Sequence, residues 1–338
     1  MNIMKGAKVI SVGAAVTLIG LLAGGGCTLF ESEQVAKGRK LFMQYCVHCH
    51  GPSGSGDGYN AIRMDPRPRD LTDSQEEFLR TMSDEEVFSV FSRDMVSYEE
   101  FEEEFGEEED FDFMFFVPPN MPTFKHTLAE EERWALVAFV RTLHGMKAEV
   151  DLAALRQERE EKVKVAQTKL EAAQKNWAAA EEAAEARDEE EPDLSEEEEA
   201  VDEADMELGE AQSALDNLTK RRVYQIARPE LNSAPEELEP LIAQGEALYS
   251  DKYGCDSCHS IGGRGGVVGP PLDRAGFRLN GTWVYRWIRS PQAIKRRTKM
   301  PNLGVTDEHA RAITAYLGTL RAAPPATASG APAQQAAL

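Results

Sequence analysis

Four of the chain's five cysteines and three of its six histidines fall into two copies of one C-x-x-C-H pattern, Cys46-Val47-His48-Cys49-His50 and Cys255-Asp256-Ser257-Cys258-His259. Two thiols three positions apart on one turn can each bond a vinyl group of a haem. The imidazole next in sequence then projects beneath the ring as an axial iron ligand. Cys46, Cys49, Cys255 and Cys258 are therefore candidate attachment points, and His50 and His259 candidate iron ligands, for two covalently attached haem c groups. Disulfides and a zinc site are the competing uses of paired cysteines. Neither accounts for a histidine directly after each pair.

The surroundings of the two pentads repeat. Ala36–Phe42 precedes the first and Ala243–Tyr249 the second, each a short helical stretch with one glycine, Gly38 or Gly245, and an aromatic four residues later. Downstream, Trp134–Val140 and Ala310–Leu317 are apolar at helical spacing. Thr127 with Glu130 is the expected start of one such helix, and Thr306 or Asp307 of the other. A glycine in each leading helix permits close crossing by each closing one.

Each unit thus resembles a class I cytochrome c domain: a leading helix, a haem pentad, a loop around the haem, a methionine ligand and a closing helix. The resemblance covers roughly 33–147 and 236–321. It implies Met121, in Asn120-Met121-Pro122, and Met300, in Lys299-Met300-Pro301, as the sixth iron ligands. A soft thioether favours Fe(II) and raises the potential. Met95, Met114 and His126 compete with Met121 in the same interval, while His48, His144 and His309 have no ligand context. The resemblance also implies that the Pro270 carbonyl, in Gly269-Pro270-Pro271-Leu272, accepts the N–H of His259 and fixes that ring. The first unit departs from this pattern, with Pro66 or Pro68 in the corresponding place and Arg67 and Arg69 either facing haem propionates or simply solvated.

The expected architecture is all-α: two cytochrome c-like helical domains joined by a long antiparallel helical hairpin. Residues 99–112 form an acidic insert within the first domain, read as a solvated loop or a recognition element for a basic partner. Across 148–225 two heptad seams appear. One runs Val163, Ala166, Leu170, Ala173, Trp177, Ala180, Ala184, the other Val201, Ala204, Leu208, Ala211, Leu215, Leu218. Pro192 and its acidic neighbours break the helix between them, and folding back there pairs the seams in register; a single long helix that dimerises is the alternative. The Ala/Pro-rich tail, 322–338, is expected to be disordered.

Residues 1–27 form an export segment: Lys5 and Lys8, an apolar run, then three glycines and Cys27. The segment resembles a bacterial lipoprotein signal, which implies Cys27 as the lipidated N-terminus. An uncleaved anchor and simple secretion are the alternatives, the run Val9–Phe30 being long enough to span a bilayer. The expected location is the periplasmic side of a bacterial membrane.

The 338 residues carry 37 Lys and Arg against 59 Asp and Glu, a formal charge of −22, which excludes nucleic acid as an expected partner. The charge is uneven. Residues 31–147 hold 25 acidic and 12 basic side chains, 148–240 hold 28 and 11, and 241–321 hold 6 and 12. The second unit is thus basic within an acidic protein, with Lys295, Arg296, Arg297 and Lys299 directly before Met300. A basic face steers acidic redox partners; docking against the chain's own acidic segments is the alternative. With both irons six-coordinate, the resemblance implies a carrier of single electrons between a respiratory donor and acceptor rather than an enzyme. A dihaem peroxidase-like enzyme and a haem-bearing subunit of a larger respiratory complex are the other readings.

Overall fold

The computed structural model describes residues 31–75, 77–97, 100, 120–148, 150–187, 192–231 and 235–322. The export segment with Cys27, all of the acidic insert but Glu100, Met114, the turn at 188–191 and the tail past 322 lie outside the described residues.

The described chain is helical. The only strands among the described residues are a two-residue antiparallel pair, Ser260–Ile261 with Arg264–Gly265, so the fold is all-α as the sequence indicates.

In the first unit α1 (Glu33–Tyr45) starts where the Ser32 hydroxyl accepts the Val35 N–H, 3.2 Å away. The next long helix, α2 (Asp84–Ser92), opens with a reciprocal cap between Ser83 and Glu86. The closing helix α3 (Glu130–Leu143) crosses α1 at Gly38, where a Cβ would lie 1.9 Å from the Ala135 carbonyl oxygen. Phe42 and Phe139 pack beside this crossing with ring centroids 5.1 Å apart. A charged group holds the wall above it. Arg141, 1% exposed, donates to Asp84 at 2.5 Å and to the carbonyls of Leu79 and Met82 at 2.6 and 2.7 Å. One expectation fails here. Thr127 does not cap α3; the Ala129 N–H is taken by Glu132 at 3.0 Å, and the Thr127 hydroxyl is bound elsewhere.

The second unit repeats the plan with α6 (Pro235–Ala247), α7 (Gly281–Arg289) and α8 (Asp307–Thr319). Gly245 lies against α8, where a Cβ would come within 2.1 Å of the Ala312 carbonyl oxygen. Thr306 caps α8 through the His309 N–H, at 3.3 Å. Tyr249, Tyr253, Tyr285, Ile288 and Ile313 fill the core.

Between the units stand α4 (Leu152–Ala186) and α5 (Ser195–Thr219). They run in opposite directions: the Arg159 guanidinium donates to the Ala214 carbonyl at 2.8 Å and Lys169 pairs with Glu207 at 2.7 Å. Within 163–187 only the seven seam positions are shielded, and every residue between them is exposed. At 1.5 Å per residue the 35 residues of α4 span about 50 Å. The near end of this pair is tied to the first unit. Three successive glutamates opening α3, Glu130, Glu131 and Glu132, bind Arg159, Arg156 and Arg221 respectively.

The two units also touch directly. Met95, within the first unit's sequence, is buried in the apolar core of the second. The Thr127 hydroxyl accepts the Asn302 N–H at 2.7 Å, Glu100 pairs with Lys252, and the His126 ring lies against Gly304.

Candidate haem-binding sites

A cavity of about 380 Å³ opens in the first unit beside the first pentad. Cys46, Cys49 and His50 line it together with Met121, and Phe42, Phe78, Leu79, Val87, Phe91 and Leu136 give it apolar walls. Arg67 and Arg69 line it as well, Arg69 with its guanidinium 4.0 Å over the Phe78 ring. Of the competitors for the methionine position, Met95 is in the other core and His126 is at the contact between units; neither lines the cavity. Met64 and Met82 do line it, and nothing in their sequence setting marks them.

The His50 Nδ1 lies 3.0 Å from the carbonyl oxygen of Arg69, which takes the place expected of Pro66 or Pro68. A carbonyl is what the ring requires, and any residue type supplies one; the loop 65–70 presents that of the residue directly after Pro68. Gly54 and Leu71 tie this loop to the pentad's own turn, 2.7 Å from N–H to carbonyl. With Nδ1 engaged, Nε2 is the nitrogen left for a metal. Burial holds the imidazole below its usual range, offset in part by the Arg69 carbonyl, so the ring is neutral and its lone pair available. Met121 is fixed from behind by Arg93, whose guanidinium donates to the Met121 carbonyl.

In the second unit the His259 Nδ1 lies 2.8 Å from the Pro270 carbonyl oxygen. The loop can approach the ring only because residue 269 is glycine: a Cβ there would sit 2.3 Å from His259 Cε1. Burial lowers this imidazole too, against the raising effect of the Pro270 carbonyl. Met300 is held at three points. Its N–H donates to the Thr298 hydroxyl at 3.2 Å, its carbonyl accepts from Gln292 at 3.0 Å, and its sulfur accepts the Trp287 indole N–H at 2.9 Å. Trp287 in turn stacks on Trp283, with centroids 5.0 Å apart.

Cys46, Cys49, Cys255 and Cys258 are free thiols. Burial, reinforced by the neighbouring thiol, pushes Cys46 up to about 12, and burial lifts Cys258 to about 11 and raises Cys49 and Cys255 as well. Such thiols resist ionisation as they stand. Among the described residues no three His, Cys, Asp or Glu side chains converge as a metal cluster.

The pentads are not remote from each other. Cys258, Val268, Lys299 and Pro301 of the second unit form part of the wall of the first unit's cavity. Between them sits Asn60, wholly buried, which sequence reasoning passed over because a lone asparagine after a Gly-rich turn reads as ordinary turn chemistry.

Residues 35–144 match the family model described as Cytochrome c, and residues 240–317 match that described as Cytochrome C oxidase, cbb3-type, subunit III. The chain carries two domains of the cytochrome c type. It is accordingly an electron-transfer haem protein, and covalently bound haem c is implied for its domains. No curated protein and no solved structure matches this cytochrome. The residues at the first cavity fit such a group: two free thiols, one oriented neutral imidazole, a thioether on the lining and apolar walls. No helix among the described residues is long and apolar enough to cross a membrane.

Proposed function

We propose that this cytochrome is a two-haem relay, passing single electrons between a respiratory donor and a respiratory acceptor. In this reading Cys46 and Cys49 hold one haem and Cys255 and Cys258 the other, with His50 and Met121, and His259 and Met300, as the axial pairs. The bound groups supply a reversible one-electron Fe(III)/Fe(II) couple. The chain does the rest. The Arg69 and Pro270 carbonyls orient the imidazoles and increase their basicity. The apolar lining of the first cavity excludes water and so limits reorganisation when charge changes. Filling both axial positions from the protein leaves none for a substrate, which favours a carrier over a peroxidase-like enzyme.

The observation that carries the reading is the shared wall, in which Cys258, Val268, Lys299 and Pro301 close the cavity beside Cys49. Two attachment sites placed back to back suit a chain of electron transfer better than two independent carriers. Tethering through a lipidated Cys27, or through an uncleaved anchor, would keep the protein at the periplasmic face of a membrane. The match of 240–317 to a family described as an oxidase subunit supports a second, compatible reading: membership of a larger respiratory complex.

Mass spectrometry of the mature protein tests the first point, with two added haem masses expected, one lost in a Cys46→Ala/Cys49→Ala variant and the other in Cys255→Ala/Cys258→Ala. An unmodified chain defeats the proposal. Oxidised protein should show a methionine–iron charge-transfer band that Met121→Ala and Met300→Ala each halve. Co-purification of an oxidase from gently solubilised membranes supports the subunit reading, and its absence favours a free relay.

A further inference from the structure

The Asn60 side chain is 0% exposed and joins three groups from two units. Its own N–H donates to the His48 carbonyl at 2.9 Å, which seats it on the first pentad. Its carboxamide Nδ2 lies 3.6 Å from Cys49 Sγ and donates to the Ser257 carbonyl oxygen at 2.8 Å. Its Oδ1 accepts the Val267 N–H at 2.9 Å. The Ser257 carbonyl carbon is bonded to the nitrogen of Cys258, so the amide stands between an attachment sulfur of one unit and the backbone of an attachment cysteine of the other.

The second unit is shaped to receive it. A Cβ at Gly266 would lie 2.0 Å from the Ser257 carbonyl oxygen, and one at Gly58 would lie 2.4 Å from the His48 carbonyl oxygen. Glycine at each position lets the stretch after each pentad close on that pentad's own turn, which places Asn60 and Val267 beside the two attachment turns. Burial without partners would cost a carboxamide dearly. Here both ends are satisfied, and both by the other unit.

We propose that Asn60 is the positioning residue that couples the two haem sites, its carboxamide forming a bonded and hydrogen-bonded route between Cys49 and Cys258. This deepens the two-haem reading and rests on it. Tunnelling falls off less steeply along covalent and hydrogen bonds than across a gap. The route has one weak S···H–N contact, one hydrogen bond and otherwise covalent links. One electron crosses it: ferrous iron at the donor site is oxidised, ferric iron at the acceptor site is reduced, and no bond breaks and no proton moves.

The test compares Asn60→Leu with Thr127→Val, which removes the Thr127–Asn302 hydrogen bond of the same contact without touching a sulfur. Both are made beside Met300→His, which makes the second haem spectrally distinct, and haem content is first measured by mass. Flash photoreduction then follows equilibration of one electron between the sites. Asn60→Leu should slow it tenfold or more while Thr127→Val changes it less than threefold. Amide hydrogen exchange at Val267 gives a readout independent of the haems, with protection lost in Asn60→Leu and kept in Thr127→Val. An unchanged rate in Asn60→Leu with two haems bound overturns the coupling role alone. Equal slowing in both variants overturns it too, since Asn60 would then be only a pin. Fewer than two haems in the parent protein overturns the underlying reading instead.

Discussion

Met121 and Met300 occupy matching places in the two units, yet the protein grips them differently. Arg93 holds Met121 by its backbone carbonyl, whereas Trp287 hydrogen-bonds the sulfur of Met300 itself. The rings opposite differ as well: an arginine's carbonyl orients His50, which is buried, and a proline's carbonyl orients His259, which is half-buried. The same attachment chemistry is thus set in two environments. In the proposed relay such inequality would bias which site holds the electron, while the donor and acceptor set its direction.

The largest contrast is in stability. Arg141→Leu removes the buried ion pair with Asp84 and frees the Leu79–Met82 wall of the first cavity. A loss of about 3–5 kcal/mol is expected in chemical denaturation, confined to the first unit, since the second has no buried ion pair among its described residues. Next come the two helix crossings, where the units should behave alike. Gly38→Ala and Gly245→Ala each drive a Cβ into a backbone carbonyl, and each should cost about 1–3 kcal/mol as overpacking. A large difference between them would show that one crossing is slack.

Trp287→Phe sharpens the comparison at the iron. Withdrawing an N–H from a thioether makes the sulfur a better donor to Fe(III) and lowers the potential. A hydrogen bond of about 1 kcal/mol kept in the ferrous state alone would set the fall at no more than roughly 40 mV for one electron. Potentiometric titration should show it at the second site only. The smallest effect concerns charge. Reaction of the basic second unit with anionic ferricyanide should slow as salt rises, and removing Arg296 and Arg297 should flatten that dependence.

Much of this was legible in the sequence because the signals were local and periodic. Gly38 and Gly245 marked the crossings, and the seam from Val163 to Ala184 named the shielded positions of α4 from Val163 onward one by one. What escaped depended on residues far apart in sequence. Thr127 carries a capping pattern, but its hydroxyl satisfies Asn302, 175 positions away. Met95 looked like a rival ligand and is instead core for the other unit. The carbonyl opposite His50 belongs to Arg69 because backbone acceptors leave no trace in side-chain identity. Asn60 was invisible for the same reason: its three bonds include two to backbone groups about 200 positions on.

The clamp of Glu130, Glu131 and Glu132 on the arginines of α4 and of the stretch after α5 has an architectural consequence. The polypeptide travels some 50 Å out and back, only to rejoin a neighbour it never left in space. Trimming or extending the boom by whole heptads at its far end should therefore alter what the molecule can reach while leaving the junction between its halves untouched. Reach and wiring are separately adjustable.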